Sequence, residues 1–264
     1  MSEPQSQQSD ALKKANLLFY EKANKSVHHL FDLAKEKNEL HFAFSLAAEF
    51  RGMQDPGWNT AMEAHGAFEE YMEFMKKNPD TGFNARVALA FYCHLAEASG
   101  FYEIPKNMLR VAEGQRYKAW PFEEIVEPHK KTGESIAPNA NKVIRNLVGH
   151  ATTLGLNNMA EVFRDAFDSD VRNGFSHADY VIWNDGIRLP KRNGGTKRIV
   201  SWSEFNALLE RGINFFNLLS EVVQEYRDSY NPPKVVRGQS GDAPECDWTI
   251  CCNPETKTFS FSCL

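Results

Sequence analysis

Apolar residues between positions 11 and 38 recur every three or four places: Leu12, Ala15, Phe19, Ala23, Val27, Leu30 and Leu33 form one stripe, with Leu18 and Phe31 beside it. That spacing suits a helix burying a single face and predicts one long amphipathic helix ending near Asn38. A second helical segment is expected over residues 39–52, stopped by Asp55-Pro56-Gly57. Residues 59–77 carry a stripe of Met62, Phe68, Tyr71, Met72 and Met75 that reads as core. Asn78-Pro79-Asp80 then breaks the pattern, and residues 83–99, apolar on several sides, predict a central helix. The periodicity weakens over 100–135, where Pro105, Pro121 and Pro128 separate short helical pieces and Trp120 and Phe122 serve as anchors. Residues 138–154 and 156–168 read as a helical hairpin with Gly155 closing its first arm.

Beyond residue 177 the period changes from helical to alternating. Residues 180–183 and 187–189 flank Asn184-Asp185-Gly186, a hairpin signal, and Ile199-Val200 is a candidate third strand. Ser201 or Ser203 caps a long helix over 204–230, whose Phe205, Leu208, Leu209, Ile213, Phe216, Leu219, Val222 and Val223 make a face wide enough for a core and a partner subunit. Asn231-Pro232-Pro233 ends it. The expected architecture is mainly α. Residues 1–10, rich in Ser and Gln, are expected to be disordered; 11–230 form one compact helical body with a small β-hairpin insertion. Residues 231–264 form a connector followed by a hairpin or tail, with strands at 248–252 and 257–263.

Composition narrows the class. A chain of 264 residues with 42% hydrophobic and 25% charged side chains is ordinary globular material. No apolar run approaches the roughly 18 residues of a membrane span, and the polar start lacks a secretory signal, so the cytoplasm is the expected location. Five cysteines, an odd number, read as reduced thiols. A zinc site from Cys246, Cys251, Cys252 and Cys263 lacks the C-x-x-C knuckle such sites use. A net charge of −5 is not that of a general nucleic-acid binder, so contact with RNA must come from a local patch. Arg188, Lys191, Arg192, Lys197 and Arg198 supply one, five cations in eleven residues suited to phosphate contact, or else a solvated loop.

Arg172-Asn173-Gly174-Phe175-Ser176-His177, continued by Ala178-Asp179-Tyr180, gathers a permanent cation, an amide and a titratable ring. Arginine offers phosphate a fork of donors, and histidine exchanges protons near neutrality. Asn173 and His177 stand at i and i+4, but an ideal helix leaves Arg172 and His177 about 140° apart. Convergence then needs a distorted helix start, which Gly174 permits, a long curling arginine, or a second copy of the site.

The segment resembles the R-N-x-x-x-H signature of the HEPN superfamily, with an acidic amphipathic run before it and a small residue, Asp and Tyr after it. The resemblance implies an all-helical, metal-independent endoribonuclease of the toxin or phage-defence type, working as a homodimer, or a relative that has lost catalysis and only binds RNA or nucleotide. On that reading the RNA 2′-hydroxyl attacks phosphorus, His177 is the general acid or base, Arg172 stabilises phosphoryl charge, and Asn173 holds ring or phosphate. No cofactor is called for; the partners are RNA, a second copy and an antitoxin or inhibitor protein.

Arg145-Asn146-Leu147-Val148-Gly149-His150 satisfies the same pattern, but on a core-facing stripe with Arg145 and His150 at its flanks. Asp165, Asp168 and Asp170 form either a Mg²⁺ site or the ion-pair partners of Arg172. His94 and Glu97, one turn apart, read as a satisfied core pair, and His28 and His29 as surface or packing residues. No P-loop, dinucleotide fingerprint, nucleophile elbow or kinase motif is present.

Overall fold

The first stripe forms α1, Glu3–Lys37, whose Phe19, Ala23, Val27, Leu30, Phe31 and Ala34 are buried. The computed structural model describes residues 3–47, 60–77, 82–190, 197–256 and 258–263. Residues 3–10, expected to be disordered, belong to α1 instead: once a helix is nucleated, adding residues is cheap, and glutamine is a good helix former. Asn38 accepts a hydrogen bond from the His41 amide (3.0 Å) and starts α2, Glu39–Leu46. The expected continuation of that helix to residue 52, the Asp55-Pro56-Gly57 stop and the Asn78-Pro79-Asp80 break lie outside the described residues.

Three helices follow, α3 (Thr60–Lys77), α4 (Gly82–Glu97) and α5 (Ser99–Ala112). The last runs straight through Pro105, which was expected to interrupt it. Its buried Tyr102, Met108, Leu109 and Val111 outweigh one missing backbone hydrogen bond, since each large side chain buried contributes about 1.5–3 kcal/mol. A short β-pair, Glu127–Pro128 (β1) with Ser135–Ile136 (β2), precedes α6 (Ala140–Thr153) and α7 (Asn157–Asp165). Gly155, at φ +74°, ends α6, with its own amide bonded to the Thr152 carbonyl (3.0 Å) and the Leu156 amide to Ala151 (2.9 Å).

Next come α8 (Ser169–Ser176) and an antiparallel sheet of β3 (Val181–Trp183), β4 (Gly186–Leu189) and β5 (Arg198–Ser201) in that order. Trp183 pairs with Gly186 across the two-residue turn Asn184-Asp185. Gly186 has φ +148°, and a Cβ there would lie 2.1 Å from the Val200 carbonyl oxygen. Ser201 caps α9 (Trp202–Asp228) by accepting from the Glu204 amide at 3.2 Å.

The C-terminal hairpin expected over 248–252 and 257–263 is present, and the connector before it holds a further strand. Lys234–Gly238 is a strand, β6, pairing with β7 (Cys246–Asn253), which pairs in turn with β8 (Thr258–Cys263). Ile250, Cys252 and Phe259 join the main core, and Phe44 meets Trp248 and Phe261 at ring-centroid distances of 5.4 and 5.1 Å. Cys246 and Cys263 are disulfide-bonded, against the expectation of reduced thiols, and two of the four sulfurs weighed for zinc are thereby taken. A hairpin brings its two ends together, so cysteines spaced this way meet where their sequence order gives no warning.

Two apolar clusters fill the molecule. One lies among α1, α2, α5, α6, α7, α9 and the C-terminal sheet; the other lies among α3, α4, α8, β4, β5 and α9. Helix α9 serves both, with Phe215 and Leu218 on the first and Phe205, Leu209 and Phe216 on the second. Its wide apolar face is therefore largely spent within the chain. Among the described residues no helix is long and apolar enough to cross a membrane.

Candidate functional site

The second cluster supports a cleft of about 710 Å³ where the end of α4, the start of α6, one face of α8 and the end of β4 meet. Arg172, Asn173 and His177 all line it, as does Arg198. Asp168 begins α8 by accepting from the Asp170 and Val171 amides (2.9 and 3.1 Å), and its own amide donates to the buried Tyr92 hydroxyl at 2.5 Å. Burial pushes the Tyr92 pKa up, which keeps that hydroxyl neutral. The helix start is thus fixed to α4.

Arg172 is only 5% exposed. Its Nη1 donates to Glu97 Oε1 and its Nη2 to Asn173 Oδ1 at 2.7 Å. Its predicted partners, Asp168 and Asp170, go elsewhere, and Glu97, read from sequence as half of a core pair with His94, takes their place. His94 instead lies 3.3 Å from the Ala64 carbonyl oxygen. Asn173 orients the guanidinium rather than the imidazole. Beneath them Cys93 is buried, and that burial, with the Glu97 charge next, pushes its thiol up to about 12, so it is inert.

His177 caps the C-terminal end of α8 and is exposed. Ala178 follows at φ +53°, with its amide on the Phe175 carbonyl (2.8 Å) and the Asp179 amide on Gly174 (2.7 Å). This closure ends the helix immediately after the histidine. The helix start is regular: Arg172 lies in the cleft wall and reaches α4, and His177 sits at the helix end. Gly174 serves packing rather than distortion, since a Cβ there would stand 2.6 Å from Leu189 Cδ2.

The described cations after the motif separate. Arg198 donates to Asp168 (2.6 Å) and Glu204 (2.6 Å) and lies 3.7 Å from Asp170. Burial works against its charge, but the hydrogen bonds to Asp168 and Glu204 raise its pKa further. Arg188 lies over the Trp183 ring (5.1 Å) and within 3.2 Å of Asp185. Lys197 is exposed; Lys191 and Arg192 lie outside the described residues. Asp168 and Asp170 face one cation, Arg198, and among the described residues no group of three or more His, Cys, Asp or Glu is placed to hold a metal ion.

The first copy of the motif is arranged differently. Arg145 is exposed and donates to the Asn141 carbonyl one turn back (3.1 Å). His150 is bound between Lys106 (3.2 Å) and Glu113 (3.0 Å), and burial followed by the Lys106 charge lowers its pKa. Lys106 is itself 2% exposed and paired with Glu124. Those residues tie α5 to α6. Besides Glu97, sequence reading missed Asn139 and Asn141 as cleft residues. Asn139 carried the only usable signal, because it caps α6 from a position where a cap was due. Neither a protein-family model nor a curated protein nor a solved structure matches the chain.

Proposed function

We propose that the chain is a metal-independent, HEPN-like endoribonuclease acting through Arg172, Asn173 and His177. The observation that carries the reading is the convergence of these three side chains on one polar cleft, with the arginine held rigidly by Glu97 and Asn173. A buried, oriented guanidinium is suited to the charge that grows on phosphoryl oxygens, and an exposed imidazole at the rim is suited to proton transfer. RNA supplies its own 2′-hydroxyl as nucleophile, so no protein nucleophile is required. The products are a 2′,3′-cyclic phosphate and a 5′-hydroxyl. A toxin or defence role, a homodimer and an antitoxin or inhibitor belong to the same proposal and rest on the motif's resemblance.

The test is RNA cleavage by purified protein in excess chelator, with His177→Ala and Arg172→Ala beside wild type. Cleavage lost in both variants and indifferent to chelator is the expected result. Cleavage surviving both substitutions would remove the site assignment, and loss on chelation would point to metal chemistry. A second reading, binding without cleavage, draws on the cleft's charge. Glu97, Asp170 and Asp179 line it with Arg172 and Arg198, so the cations are already opposed. RNA retained on the wild type with no product would favour it.

A further inference from the structure

The proposed reaction needs two proton transfers, one from the 2′-hydroxyl and one to the departing 5′-oxygen, yet the motif brings a single histidine to the cleft. We infer that Glu97 is the general base and His177 the general acid, an assignment that rests on the nuclease reading above. Glu97 is the carboxylate that touches Arg172, so a phosphodiester drawn to the guanidinium arrives beside it. Its Oε1 is occupied by Arg172 Nη1, while the side chain stays 41% exposed at the cleft and Oε2 has no hydrogen-bond partner among the described residues. Asp170 is a poorer candidate: it is 68% exposed and sits by Arg198 on the other side. An ionised carboxylate can accept a proton but has none to give, which leaves donation to the imidazolium.

The step balances without a co-reactant. The O2′–H bond breaks toward Glu97 and O2′ bonds to phosphorus; the P–O5′ bond breaks with its electron pair on oxygen, and His177 protonates that oxygen. Water then returns the proton from Glu97 to His177. As negative charge builds on the phosphoryl oxygens, Arg172 is drawn toward them and its hold on Glu97 loosens, freeing the carboxylate to take the proton.

The discriminating experiment pairs RNA with a uridine 3′-phosphodiester bearing a nitrophenolate leaving group, which departs without protonation. Wild type, Glu97→Gln and His177→Ala are compared on both substrates. Glutamine keeps an oxygen for Arg172 but cannot take a proton. On RNA, kcat is expected to fall about 10²–10⁴-fold in each variant with KM little changed. On the aryl ester His177→Ala should recover most of its rate and Glu97→Gln should not. Overturning results are Glu97→Gln cleaving RNA within about threefold of wild type, rescue of Glu97→Gln rather than His177→Ala by the aryl ester, or a Glu97→Gln defect explained by weaker binding of a 2′-deoxy analogue. Wild type failing to cleave RNA would instead remove the nuclease reading, and this assignment with it.

Discussion

Arg172 is held at two points, and that is what separates it from a generic surface cation. A lysine in its place has one ammonium and no fork, so it cannot engage Glu97 and Asn173 from fixed directions while presenting further N–H groups to the cleft. On the proposed nuclease reading, Arg172→Lys is therefore expected to keep the charge yet lose about 10²-fold or more in RNA cleavage. Cleavage near the wild-type rate would show that charge alone suffices. Six residues on, Ala178 occupies a left-handed conformation that costs an L-residue roughly 1–2 kcal/mol. Ala178→Gly removes that strain but adds freedom to the unfolded chain, leaving an expected net gain of about 0.5 kcal/mol in urea unfolding. A loss of stability would mean that the alanine methyl has a packing role that outweighs its backbone strain.

At the scale of elements, α8 matters because it is short and wedged between α4 and β4. Gly174 permits that closeness: with 2.6 Å between a new Cβ and Leu189 Cδ2, Gly174→Ala must push the strand or its leucine aside. The expected cost is about 1–3 kcal/mol in denaturant unfolding, with the cleft distorted and, on the proposed reading, RNA cleavage lowered alongside. Unchanged stability would show that Leu189 can re-pack freely. The sequence made α8 legible as an interruption of helical period, and it made the capping residues legible too: Ser201 and Gly155 stand where local chemistry demands them. It left β6 obscure because Lys234-Val235-Val236-Arg237 is too short and too charged to show alternation, and its partners lie beyond a polar loop. Glu97 was obscure for a different reason. An ion pair spanning 75 residues leaves no local pattern, and the His94 one turn away gave it a plausible nearer companion.

Across the whole molecule, the helical body and the C-terminal sheet are joined through a neutral histidine. His41 is buried; its Nδ1 accepts from the Tyr117 amide at 3.3 Å, and its ring also bonds the Gln239 backbone beside β6. Burial, followed by the Arg116 charge, lowers its pKa in the fold. The unfolded chain, with a histidine pKa of about 6.5, then takes up a proton that the folded chain resists. Stability from this residue is fully present above that value and is lost as pH falls below it, at up to about 1.4 kcal/mol per pH unit until the folded ring also protonates. His150 acts in the same direction. His28 acts oppositely: despite burial, its bond to the Asn24 carbonyl and the Glu225 carboxylate raise its pKa, so its contribution fades as pH rises. Comparing wild type with His41→Gln isolates the one residue, because the other two titrate alike in both proteins. Urea unfolding at about pH 7.5 and 5.5 should show wild type losing more stability on acidification than the variant. Tryptophan fluorescence should report the same transition, since Trp248 packs against Phe44 across this junction. Equal losses in the two proteins would mean that the ring changes protonation at the same pH folded or unfolded, and that the Lys234–Glu39 ion pair, the Arg116 hydrogen bonds and the apolar contacts hold the sheet to the body without it.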